Sequence, residues 1–156
     1  MRRDYFTLDV RNVGWIASGD DPQKPTVLIN FDGPSSTLRE RLTGTEDVLL
    51  EASETDVAFR LQGSLDEPGT TGVVGVTNRI TGDFILELNE KATDVLQFIR
   101  AARRYGESTD DEAGYHVQLK INGEDVVSYD KNTFLVYNEE GNLLRQHSLI
   151  PSGVEL

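Results

Sequence analysis

The stretch NEKATDVLQFIRAARRYG (residues 89–106) decides what kind of fold this chain makes. Val95, Phe98, Ile99 and Ala102 recur at helical spacing and share one face of a wheel, with Gln97, Arg100 and Arg104 opposite. The spacing predicts one long amphipathic helix that needs an apolar surface to lie on. Gly106 is placed to end it, because glycine enters the left-handed region without the steric cost other residues meet.

The segments on either side supply that surface. Before the helix, DVAFRLQG (residues 56–63) alternates on Val57, Phe59 and Leu61; VVGVTN (73–78) and DFILELN (83–89) follow, joined through Thr81-Gly82-Asp83. A period of two marks strands with one buried face. After the helix, YHVQLKI (115–121) and EDVVSY (124–129) flank Asn122-Gly123, the strongest short hairpin signal a sequence offers. NTFLVY (132–137) and LLRQHSLI (143–150) flank NEEGN as a further hairpin. Near the start, Phe6, Leu8 and Val10 alternate with Thr7 and Asp9; the acidic SGDDPQKP (18–25) is a loop, and TVLINF (26–31) is a second strand. In DGPSSTLRERL (32–42), Leu38 and Leu42 stand at helical spacing behind Ser and Thr capping candidates, which predicts a short helix ending near Gly44.

Connections of hairpin length make neighbouring strands antiparallel, since parallel pairs need crossovers. The expected order is therefore ββα-βββα-ββββ and the expected class α+β. It would be a twisted or partly rolled antiparallel sheet of about eight to nine strands, with one short helix and one long helix covering its apolar face. A length of 156 residues suits a single domain.

Charge bounds the partners. There are 27 Asp and Glu against 15 Lys and Arg, a formal net charge of -12, and lysine occurs only at Lys24, Lys91, Lys120 and Lys131. Such an excess keeps a chain soluble at the cost of self-repulsion, a balance associated with concentrated salt. It argues against phosphate backbones and anionic lipids, so no nucleic acid and no membrane is expected as a partner. The absence of cysteine excludes disulfides, thiolate nucleophiles and Cys-ligated metals. MRRDYFTLDV alternates like a strand and lacks the apolar run of a signal peptide; a cytoplasmic protein is expected.

Chemistry-bearing motifs are scarce. His116 and His147 have no partner at metal-ligand spacing, and both read as solvated or cross-strand histidines. Asp20-Asp21 and Asp110-Asp111-Glu112 read as acidic loops without the alternating ligands of a calcium site. GTTGVVG (residues 69–75) leads into a strand and lacks the Lys-Ser or Lys-Thr of a phosphate loop. No catalytic residue, cofactor or metal is assigned, and catalysis is unsupported rather than excluded.

Two surfaces remain as interaction candidates. FIRAARRYGE (98–107) carries Arg100, Arg103 and Arg104 within five residues. Cations in the last turn complement the helix dipole, which is the plainest reading; a protein-binding face and a small-anion site are the alternatives. In the tail HSLIPSGVEL (147–156), Leu149, Ile150 and Val154 either pack on the sheet or dock a second copy or a partner. Trp15 reads as a core or rim residue.

The strings MRRDYFTLDV, TDVAFRLQG, VTNRITGDFILELN, FIRAARRYGE and NTFLVYNEEGNLLRQHSLIPSGV resemble a family of small haloarchaeal proteins of unknown function. The resemblance spans nearly the whole chain and implies a halophilic archaeal cytosol, in agreement with the charge. It supplies no activity, ligand or catalytic residue. Two functions of different class stay open: a non-enzymatic interaction or regulatory module, acting as a homodimer or on a protein partner, and a small-molecule-binding domain or minor enzyme. The second needs a pocket between the sheet and the long helix.

Overall fold

The computed structural model describes residues 3–109, 111 and 114–151. β1 (Phe6–Arg11) and β2 (Thr26–Phe31) pair antiparallel from Phe6 against Phe31 to Arg11 against Thr26. Between them α1 (Trp15–Ser18) is a single turn, and it buries Trp15, whose indole donates to the Asn12 carbonyl at 2.6 Å. α2 (Ser35–Leu42) buries Leu38 and Leu42, and its N-terminal cap is Pro34, with no side-chain hydrogen bond from Ser or Thr. β3 (Thr55–Leu61), β4 (Thr71–Asn78) and β5 (Phe84–Lys91) form the expected antiparallel meander. α3 (Ala92–Ser108) follows β5 without a loop. β6 (Tyr115–Ile121) and β7 (Glu124–Lys131) turn at Asn122-Gly123, both with positive φ, 49° and 83°, as that hairpin turn requires. β8 (Leu135–Tyr137) comes last; its return arm is reduced to bridges at Leu143 and Leu149 around a 3₁₀ turn, Arg145–His147.

The class is α+β with about eight strands, one long helix and one short one, as the periodicity predicts. The strands divide into two four-stranded sheets, β1-β2-β6-β7 and β5-β4-β3-β8. Each contains one parallel pair, β2 with β6 and β3 with β8. Hairpin lengths govern only strands adjacent in the chain. Strands separated by a long crossover pair by matching their buried faces. Val27, Ile29 and Phe31 therefore stand in register with Val117, Leu119 and Ile121, and all six are buried.

One hydrophobic core runs through both sheets, α2 and α3. α3 buries Val95, Phe98, Ile99 and Ala102, the face expected from the wheel. Its end differs from expectation. Gly106 stays inside the helix, which terminates at Thr109, an extended residue whose hydroxyl caps the orphaned Tyr105 carbonyl at 2.8 Å. A side-chain hydroxyl satisfying the last turn makes a left-handed glycine unnecessary. Among the described residues no helix is long and apolar enough to cross a membrane.

Strand β4 shows how tightly the core is filled around Gly72. A methyl group on Gly72 would stand 2.5 Å from both the Arg60 carbonyl oxygen and the Phe59 ring, whereas one on Gly75 would meet only the Phe84 ring, at 3.7 Å. Gly72→Ala should therefore lower the unfolding free energy by about 1–3 kcal/mol, the range for overpacking. Gly75→Ala should stay within about 0.5 kcal/mol of wild type. Urea denaturation of the two variants side by side measures the difference.

Candidate ligand cavity

The two sheets face each other, and what lies between them depends on residue size. Phe31, Leu38, Phe59 and Ile85 fill part of that interior and are at most 1% exposed. Beside them β2, β3, β4 and β6 contribute Val27, Val57, Val74, Val76 and Val117 to the lining of a cavity of about 310 Å³. Leu8, Val10 and Val13 line its outer side, and Val95 and Phe98 of α3, with Tyr115 and Phe134, close it.

The polar lining lies at the rim, where Asp9, Glu90, Asp94 and Gln97 border the cavity. Asp94 sits in the first turn of α3, where the helix dipole favours an anion. It has no partner among the described residues. Asp9 pairs at 3.5 Å with Arg11, and Glu90 accepts from the Lys91 amide at 3.1 Å. Among the described residues no lysine, arginine or histidine lines it. Deeper in, the Tyr115 hydroxyl donates to the Thr133 carbonyl at 2.7 Å, and burial pushes the phenol well above its ordinary range. It stays neutral and committed. The carboxylates are spread around the rim; among the described residues no group of three His, Asp or Glu side chains gathers closely enough to hold a metal ion. The arrangement is an apolar space with carboxylates around its opening.

The residues singled out from sequence are distributed as follows. Arg100 and Arg104 are exposed. Arg103 is half-buried, and its Nη2 donates to the carbonyls of Ser148 at 2.7 Å and Gln146 at 3.3 Å. Leu149 takes the packed role: it is buried, and its backbone exchanges two hydrogen bonds with Phe134. Ile150 is half-buried, and Val154, like Asp110 and Glu112, lies outside the described residues. The arginine face and the tail do meet, with Leu96, Arg100, Arg103, Gln146 and His147 bordering a groove of about 400 Å³. His116 is a cross-strand residue, its Nδ1 2.9 Å from Asp130 Oδ1, which also receives Lys24 Nζ at 2.9 Å. Hydrogen bonds from His116 and Lys24 hold the Asp130 carboxyl below its ordinary range.

One polar cluster escaped the sequence reading. Lys131 is buried, its ammonium donating to the carbonyls of Ala52 and Thr55 at 2.8 and 2.6 Å, while the Tyr129 hydroxyl donates to the Leu50 carbonyl at 2.8 Å. These bonds fasten the segment leading into β3 onto β7 of the other sheet. Desolvation lowers the Lys131 pKa, and burial raises that of Tyr129 to about 12. The signal was the period of two, which puts Lys131 on the same face as Tyr129.

The model of a family of unknown function, DUF5793, matches residues 1–156. No curated protein and no solved structure matches the chain.

Tyr129 predicts an alkaline response with a definite sign. Its folded pKa of about 12 exceeds the ordinary value of 10, so the folded chain keeps a proton that the unfolded chain gives up. Its stabilisation is complete below pH 10 and lost as pH rises towards 12. Tyr129→Phe should be less stable than wild type by about 1 kcal/mol at neutral pH, through the lost bond to Leu50. It should also lose less on alkalinisation, so that the two denaturation midpoints converge. Chemical denaturation across that pH range reads both effects.

Proposed function

For a chain that belongs to a family of unknown function, we propose a small-molecule-binding role centred on the cavity between the two sheets and α3. The observation that carries this reading is the cavity itself, a space of about 310 Å³ with valine walls and an acidic rim. An apolar cavity of about 150 Å³ holds benzene, so roughly twice that volume suits a bicyclic skeleton or a short alkyl chain. The rim carboxylates favour a cationic or hydrogen-bond-donating head. Binding rather than turnover fits the site, because the Tyr115 hydroxyl is already engaged and the remaining depth is hydrocarbon.

The interaction reading has less to stand on. Leu149 is committed to the core and Arg103 to two carbonyls, which leaves Arg100, Arg104 and the half-buried Ile150. The halophilic reading draws on composition, 27 acidic residues against 15 basic ones, and on the family resemblance, and it concerns the setting of the protein rather than its ligand.

Calorimetric titration with hexylammonium and hexanoate tests the cavity. Hexylammonium should bind at one site and hexanoate weakly or not at all. Asp94→Asn should reduce that preference more than Glu139→Gln, a remote change of equal charge. Val74→Phe should abolish binding without loss of stability, because the ring enters empty space. Val136→Phe, in the filled part of the core, should destabilise the chain. Unaltered binding in Val74→Phe, or equal destabilisation by the two phenylalanines, would overturn the proposal.

A second measurement addresses the setting. Raising KCl from about 0.1 M to about 1 M shortens the screening length from ~10 to ~3 Å. If acidic self-repulsion limits stability, the unfolding temperature should climb over that range. A flat profile would remove the halophilic reading.

A further inference from the structure

We propose that the groove between α3 and the Arg145–His147 turn is a binding site for a small phosphate-class oxyanion, held by Arg100, Arg103 and His147. It lies on a different flank of α3 from the apolar cavity and, among the described residues, shares no lining residue with it.

The first support is preorganisation. Arg103 Nη2 is tied to the carbonyls of Ser148 and Gln146, so the guanidinium plane is fixed by the fold. Its Nε and Nη1 have no partner among the described residues. Both bidentate edges of a guanidinium include Nη2, so Arg103 contributes single N–H donors at a position the fold has already fixed, without first losing side-chain freedom. Arg100 is exposed and likewise has no partner among the described residues. It stands one helical turn before Arg103 on the same groove wall, and His147 supplies an imidazole from the opposite element.

The second support is electrostatic. The chain carries 27 acidic side chains, yet none among the described residues lines this groove. Two arginines with no lining carboxylate among the described residues make a local positive potential within a surface of net charge -12. That contrast selects ligand size. A polyanion would extend over the surrounding acidic surface and be repelled, whereas a compact ion confined to the groove meets Arg100, Arg103, His147 and the uncharged Leu96 and Gln146. Donor groups on two elements suit the several oxygens of a phosphate better than the two of a carboxylate. Leu96 in the floor and a volume of about 400 Å³ leave room for a short organic stem. The groove also sits midway along α3, away from the C-terminal carbonyls whose partial charge would oppose an anion.

The test is an NMR titration of the isotopically labelled protein in KCl at constant ionic strength, with inorganic phosphate, glycerol phosphate and acetate as probes. Phosphate should produce saturable shifts at the Arg103 side chain and the amides of Gln146 and His147. Acetate should bind more weakly. Tighter binding of glycerol phosphate would identify an organic monoester as the ligand, and equal binding would identify the free ion. Arg100→Gln, at an exposed position that leaves the fold intact, should weaken binding about tenfold or more. Arg103→Lys keeps the charge but loses the bonds to Ser148 and Gln146 that fix the donors, and should weaken it too. Arg39→Gln on α2, with the same change of net charge, should leave the affinity unchanged. Shifts that do not saturate, an Arg100→Gln titration that overlays wild type, or equal effects of Arg100→Gln and Arg39→Gln would each overturn the proposal.

Discussion

The packing of Phe98, Tyr115 and Phe134 is the contact on which the rest of this structure depends. Phe98 and Tyr115 meet edge to face at 5.4 Å, Tyr115 and Phe134 lie 5.8 Å apart, and Phe98 and Phe134 lie 6.4 Å apart. Phe98 belongs to α3, Tyr115 begins β6 of one sheet, and Phe134 leads into β8 of the other. The three rings therefore join both sheets to the helix at one point. Each such pair contributes about 0.5–1.5 kcal/mol beyond the area it buries. The Tyr115 hydroxyl must find a partner in this dry position, and the Thr133 carbonyl next to Phe134 supplies it. The same rings close the cavity, so whatever positions them also sets its depth.

Local pattern made much of this legible. The meander β3–β5, the Asn122-Gly123 hairpin and the apolar face of α3 follow from periods of two and 3.6 and from turn chemistry. The division into two sheets was not legible, because β2 meets β6 and β3 meets β8 across long stretches of chain with no turn to dictate direction. The end of α3 was misjudged at Gly106 because the Thr109 hydroxyl does the capping, and a side chain folding back one turn leaves no mark in composition. The cavity was hidden for a related reason. Valine at 27, 57, 74, 76 and 117 reads as ordinary core, and only the facing of the two sheets reveals that these side chains line one space.

The arginines show the opposite case. Their position on the polar side of α3 could be read from the wheel, whereas the groove they border could not. It exists because the tail makes a 3₁₀ turn and returns to pair with Phe134, bringing Gln146 and His147 opposite Arg100 and Arg103. Arg103 has a part in that return, since its bonds to Ser148 and Gln146 hold the turn against the helix. α3 thus presents two flanks of opposite polarity. Asp94 and Gln97 border an apolar space, while Arg100 and Arg103 border a polar one. On a helix so close to both, a shift of Phe98 would alter the two openings together.

The size of the cavity bears on whether packing alone explains it. Residual cavity volume in a core costs about 24 cal/mol per Å³. For about 310 Å³ that reaches roughly 7 kcal/mol as an upper limit, because the rim admits water. Domains are stable by only about 5–15 kcal/mol in total. Exchanging several of the five lining valines for leucine or isoleucine would recover part of that loss. The space thus stands in contrast to the packing around Gly72, which has no room for a methyl group.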